Sequence, residues 1–127
     1  MLKNEKGFTL IEIIAVLVIL GILAAVAVPR YFSLMDQSRI SAAQGAIGEL
    51  KSRASGAYAK LLLSGNGSDP GVTLVSGSIS SDVGSDFTSV SITPSAGSGT
   101  IIFSVALVKG NTMSTTPSGT WYYPTQS

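Results

Sequence analysis

An almost uninterrupted apolar run near the N-terminus constrains this chain more than any other feature. Residues 8–28 carry a single charged side chain, Glu12. A helix of that length rises roughly 31 Å at about 1.5 Å per residue, enough to cross the hydrocarbon core of a bilayer. A carboxylate inside such a segment costs on the order of 2.5–3.5 kcal/mol on insertion scales, which makes Glu12 a functional position by default. Glu12 also has a purely local reading. Thr9-Leu10-Ile11-Glu12 fits the capping box, in which Thr and Glu side chains satisfy each other's backbone amides at a helix start. The two roles are compatible.

The seven residues before the run form a short polar leader with Lys3, Glu5 and Lys6. Lys and Arg stay preferentially on the cytoplasmic side of a membrane, so the C-terminal bulk is expected to face outward. A conventional secretory signal shares this basic start and apolar middle, with its cleavage site after the apolar region. Ala25-Val26-Ala27 offers such a site. Glu12 and an amphipathic pattern that continues past Val28 speak against that reading.

Lys6-Gly7-Phe8-Thr9-Leu10-Ile11-Glu12, with the apolar run behind it, resembles the prepilin signature of type IV pilins and type II secretion pseudopilins. The resemblance covers roughly residues 3–32 at the level of motif and the remainder only in layout. It implies that a prepilin peptidase/methyltransferase cuts between Gly7 and Phe8 and methylates the new N-terminus at Phe8. It also implies that Glu12, the fifth residue after the cut, takes part in assembly, and that Gly21 and Pro29 are helix-break positions. The implied partners are the inner membrane before assembly, the pilus or type II secretion machinery, and further copies in a homo-oligomeric helical filament. The implied location is a single-pass inner-membrane protein that becomes an extracellular or periplasmic filament. Many type IV pilins close a C-terminal loop with a disulfide. This chain has no Cys, so packing, hydrogen bonds or neighbouring subunits must hold its C-terminal region.

The helix is expected to run well beyond Val28. Pro29 lacks a backbone donor and favours a kink or local opening. After it, Ile40, Ala43, Ile47, Leu50, Ala54, Tyr58 and Leu61 recur at spacings of three and four, one apolar helical face. Arg39, Gln44, Glu49, Lys51, Arg53 and Lys60 fall on the side expected to be solvated or to face a partner. Ser64-Gly65-Asn66-Gly67 is a stop signal. The expectation is one helix over residues 9–63, bent or locally melted around 21–29. The chain is thereby organised as a leader (1–7), a hydrophobic membrane and assembly helix (8–28), its amphipathic continuation (29–63) and a Ser/Gly/Thr-rich β head (64–127).

Within the head, residues 72–75 read as a weak short strand. Val90-Ser91-Ile92-Thr93 alternates as a half-buried strand does, and residues 100–108 are the densest strand candidate. A last strand is expected to contain Trp121-Tyr122-Tyr123. Strands joined by short turns pair antiparallel. The fold class expected is α+β and pilin-like, a long N-terminal helix with its outward half packed on a small antiparallel sheet.

Chemistry is scarce. The chain has no His and no Cys, which removes the usual general base, the thiol nucleophile and most transition-metal sites. No P-loop or dinucleotide fingerprint is present, so neither an enzyme nor a cofactor is expected. The net charge of +1 gives no basic patch for nucleic acid. Asp69, Asp82 and Asp86 are candidates for Ca²⁺, although solvated loop carboxylates are the simpler reading. Asn66-Gly67-Ser68 matches a glycosylation acceptor pattern. Trp121, Tyr122 and Tyr123 suit a core strand better than an adhesive surface. For Phe8, Tyr31 and Phe32, packing explains as much as any aromatic charge-transport role. Three functions compete: a structural subunit of a pilus-like filament, with a secretion pseudopilin as its near variant; a secreted β-rich binding domain released by conventional signal peptidase; and an unprocessed, signal-anchored surface protein.

Overall fold

The structure is a computed structural model that describes Gly7 and residues 9–124. It contains a 55-residue helix α1 (Leu10–Ser64), a short helix α2 (Val72–Gly77) and strands β1 (Phe87–Ser95), β2 (Thr100–Val108), β3 (Asn111–Thr112) and β4 (Ser118–Tyr122). The chain divides into two compact units, one up to Met35 and the other from Asp36 onward. The first unit is helical from Leu10, and every described residue in it is exposed.

Gly21 and Pro29 lie inside α1, and the helix continues through both. The local melting expected around 21–29 is therefore absent from this structure. Pro29 costs one N–H donor and Gly21 about 1 kcal/mol relative to Ala. Helical neighbours on both sides supply propagation without a new nucleation step, so single defects of this kind are bridged. The helix ends where the Gly/Asn signal lies. Asn66 and Gly67 adopt φ of 59° and 86°, and the Gly67 amide donates to the Leu62 carbonyl at 2.9 Å, closing off carbonyls the helix leaves free.

In the second unit, β2 is the central strand. It pairs antiparallel with β1, from Phe87↔Val108 to Ser95↔Thr100, with Ser89 outside the register. Its other edge is shared, with β4 against Thr100 to Ser104 and β3 against Leu107 and Val108. Alternation sets the inner face: Ile101, Phe103 and Val105 are fully buried, while Ile102 between them is exposed. Val90 and Ile92 of β1 stand opposite Val105 and Phe103, and Trp121 of β4 opposite Ile101. Ala43, Ala46, Ile47, Leu50 and Ala54 of α1 close the same core. Tyr58 and Leu61 pack at its margin. The apolar helical face read from the sequence is the face that is buried.

Residues 72–75 form α2 rather than a strand. Val72 and Val75 are both buried, and a spacing of three brings them to one side of a helical turn, whereas in a strand they would point to opposite faces. Gly71, at φ 77°, redirects the chain into that turn.

Gly119 sets how closely β4 approaches α1. A Cβ built there would lie 2.5 Å from Ile47 Cγ2 and 2.7 Å from Lys51 Cε. Ile47 is β-branched and buried, so it has little room to yield. A second tie is the Arg53 guanidinium. It donates to the carbonyls of Ser80 and Asp82 at 3.1 and 2.6 Å and to Glu49 Oε1 at 2.5 Å. Glu49 is exposed, as expected of the solvated side, while Arg53 is half-buried and also fastens a loop of its own chain. The planar fork reaches two loop carbonyls and a carboxylate at once, which one-dimensional periodicity cannot register.

Gly119→Ala should destabilise the head by about 1–3 kcal/mol, the usual cost of overpacking. Thermal denaturation should then show a fall in Tm of several degrees. Arg53→Lys should not restore what Arg53→Ala loses, because a single ammonium does not reproduce the fork. Faster amide exchange in residues 80–84 of both variants checks this.

Candidate assembly site

The first turn of α1 is built by Thr9 and Glu12. The Thr9 amide donates to Glu12 Oε2 at 2.9 Å, and the Glu12 amide donates to Thr9 Oγ1 at 3.4 Å. The Ile13 amide donates to the Thr9 carbonyl at 3.2 Å. This reciprocal pair is the capping box anticipated from the sequence. A carboxylate in the first turn also complements the positive end of the helix dipole. Among the described residues nothing bonds the second oxygen, Oε1, and no cation pairs with Glu12. The group is therefore oriented by its own chain and retains capacity for another donor.

Below this cap, residues 13–29 carry no ionisable side chain. Apolar residues cover the whole circumference, and none is buried: Leu17, Ile22 and Val26 are 61%, 63% and 64% exposed. A helix that is apolar all round belongs in lipid or in the interior of a larger assembly. Gly7 is exposed, and a Cβ there would meet nothing within 4 Å. Gly21 is equally open. Phe8 lies outside the described residues, as does its geometry relative to Glu12. Arg30, Tyr31 and Phe32 come directly after the apolar stretch, all exposed, with the two rings edge-to-face at 6.3 Å between centroids.

The remaining sequence candidates are dispersed. Asp69 accepts from the Tyr123 hydroxyl and from the Gly71 amide. Asp82 accepts from the Gly84 amide at 3.0 Å, and Asp86 pairs with Lys109 at 3.8 Å. These are three separate structural roles, and no group of three His, Cys, Asp or Glu among the described residues is placed to hold a metal. Asn66 is exposed at the helix end. The aromatic triplet splits: Trp121 is core, Tyr123 is half-buried, and Tyr122 is 74% exposed. Tyr58, Trp121 and Tyr123 form a ring cluster with centroids 5.2–6.3 Å apart.

Sequence reasoning missed two further polar ties. The Asp36 carboxylate accepts from both the amide and the hydroxyl of Ser114. The Trp121 indole N–H donates to Ser55 Oγ at 3.0 Å. Each joins positions more than sixty residues apart, so no local pattern announces it.

The family described as "Prokaryotic N-terminal methylation motif" matches residues 2–28. The type II secretion system core protein G of Pseudomonas aeruginosa is 53% identical over 45 residues, 35% of this chain and 32% of that protein. A fimbrial protein of Pseudomonas aeruginosa is 41% identical over 56 residues, 44% of this chain and 36% of its own length. The type IV narrow pilus major component PilA5 of Thermus thermophilus is 60% identical over 35 residues, 28% of this chain and 30% of that protein. The chain thus spans about a third of the length of the relatives it matches. No solved structure matches it. Residues 2–28 thus match a prokaryotic N-terminal methylation motif, and over part of its length the chain is similar to a fimbrial protein and to a type II secretion system core protein.

Proposed function

We propose that this chain is a structural subunit of a type IV pilus-like filament. It is cleaved by a prepilin peptidase after Gly7, methylated at Phe8 and assembled through its N-terminal helix. The observation that carries this reading is the exposed, uncharged helical segment 13–29 headed by the Thr9–Glu12 cap, within the matched methylation segment.

Before assembly the segment resides in the inner membrane, with residues from Asp36 onward outside. Cleavage creates a positive amine at Phe8. Glu12 of one subunit then pairs with the Phe8 amine of its neighbour, using the oxygen its own cap leaves free. In the low-dielectric core of a filament an unpaired carboxylate is costly, and breaking a buried pair typically costs about 3–5 kcal/mol. Pairing therefore selects the correct axial register. Gly21 and Pro29 act as helix-break positions at this stage, local opening being a response to packing against other subunits. A pseudopilin of a type II secretion system is the second reading, favoured by the 53% identity to core protein G.

Open space around Gly7 supports the processing step. Among the described residues nothing packs against Gly7, so a larger side chain there tests the peptidase's need for a small residue rather than the packing of those residues. Gly7→Leu should accumulate as full-length precursor in membrane fractions, read by mass; mature protein at parental levels would refute this. Glu12→Ala should insert and be cleaved normally yet yield little or no filament in sheared surface material. Parental filament yield from that variant would remove Glu12 from the mechanism. The N-terminus of sheared material separates the classes: methylated Phe8 supports the filament subunit, and Val28 supports the conventionally secreted domain.

A further inference from the structure

Seventeen consecutive residues without an ionisable side chain separate Glu12 from Arg30, and all lie in one helix. From Glu12 to Arg30 the axial rise is roughly 27 Å at about 1.5 Å per residue. That distance is close to the thickness of a hydrocarbon core, on the order of 27–30 Å. The two charges bracket the span at a separation that lets both reach headgroups at once.

The residues just beyond this span suit an interfacial environment. Tyr31 and Phe32 are 61% and 67% exposed, which is costly for adjacent rings in water. Tyr combines an apolar body with a polar tip and concentrates at membrane interfaces. Arg30 is exposed and makes no ion pair or hydrogen bond among the described residues. Its permanent positive charge suits an anionic headgroup phosphate. The next carboxylate along the chain, Asp36, is engaged with Ser114.

We propose that Arg30, with Tyr31 and Phe32, binds phospholipid phosphates at the outer face of the membrane and thereby sets the depth of the helix, holding Glu12 at the opposite headgroup layer until assembly. The proposal rests on the membrane stage of the filament reading. It explains how a carboxylate is tolerated at the end of an apolar span: anchored in this way, Glu12 never occupies the bilayer centre, where the penalty is greatest. Arg30 is then a positioning residue that keeps Glu12 hydrated and within reach of a neighbour's amine.

The absence of Cys makes the full chain suited to single-cysteine mapping. Val18→Cys, Val26→Cys, Ser33→Cys and Met35→Cys would each be placed in vesicles of phosphatidylethanolamine and phosphatidylglycerol and treated with an impermeant maleimide. Positions 18 and 26 should be protected, and 33 and 35 labelled. Adding Arg30→Leu should extend protection past 33, a shift of about one helical turn, with labelling at 33 reduced at least five-fold. Arg30→Lys, which keeps the charge, should leave the boundary in place. An unchanged boundary with Arg30→Leu, or an equal shift with Arg30→Lys, overturns the anchor while leaving the span intact. Labelling of position 18 in intact vesicles overturns the span itself and with it the membrane stage. Arg30 is exposed and outside the head's core, so none of these outcomes reports on folding of the head.

Discussion

One helix must satisfy two different surroundings, and the rest of the structure depends on that constraint. In its first part α1 is apolar around the full circumference and its own chain buries none of it. In its later part the apolar residues narrow to the face that Ala43, Ile47, Leu50 and Ala54 present to the sheet. Hydrophobic burial is non-directional and roughly proportional to area. The first part can therefore be satisfied by any apolar surrounding, lipid or protein. The second needs a shaped partner, which β2 supplies through Ile101, Phe103 and Val105. Such indifference to the apolar medium is what the proposed move from a membrane into a filament requires.

The charges along α1 mark where those surroundings change. Glu12 closes the first turn through the Thr9 amide, so its orientation is decided before any partner arrives. Arg30 terminates the uncharged stretch. Between them the helix carries nothing that resists transfer between apolar media. Ionisable groups are thus confined to the ends of the segment, where the proposed register and depth roles require them.

The head shows how a small domain without disulfides is held together. Its inner layer is modest, and close approach across Gly119 brings β4 onto α1. Polar ties then span large sequence separations: Asp36 to Ser114, Asp69 to Tyr123, Ser55 to Trp121, and Arg53 to the carbonyls of Ser80 and Asp82. Hydrogen bonds involving a charged partner contribute more than neutral ones, about 1.5–3 kcal/mol each. Several of these fasten loops rather than regular elements, the parts that would otherwise open first.

Period and composition alone determined the long helix, its buried face at spacings of three and four, its end to within one residue, and β2 over residues 100–108. These are local consequences of backbone geometry. The Thr9–Glu12 cap was legible for the same reason, since both partners lie within one turn. Tertiary structure decided what local geometry leaves open. Val72 and Val75 fit a strand or a helical turn equally well until the core required both on one side. Around Gly21 and Pro29 the expected local melting is absent, the helix running through both without any tertiary contact among the described residues to support it. Arg53 read only as a surface charge because periodicity records which side of a helix a residue occupies, not the loop carbonyls it reaches. The pairings of Asp36, Asp69 and Trp121 had no sequence signal, because a side chain's partner fifty or more residues away is chosen by the path of the chain between them.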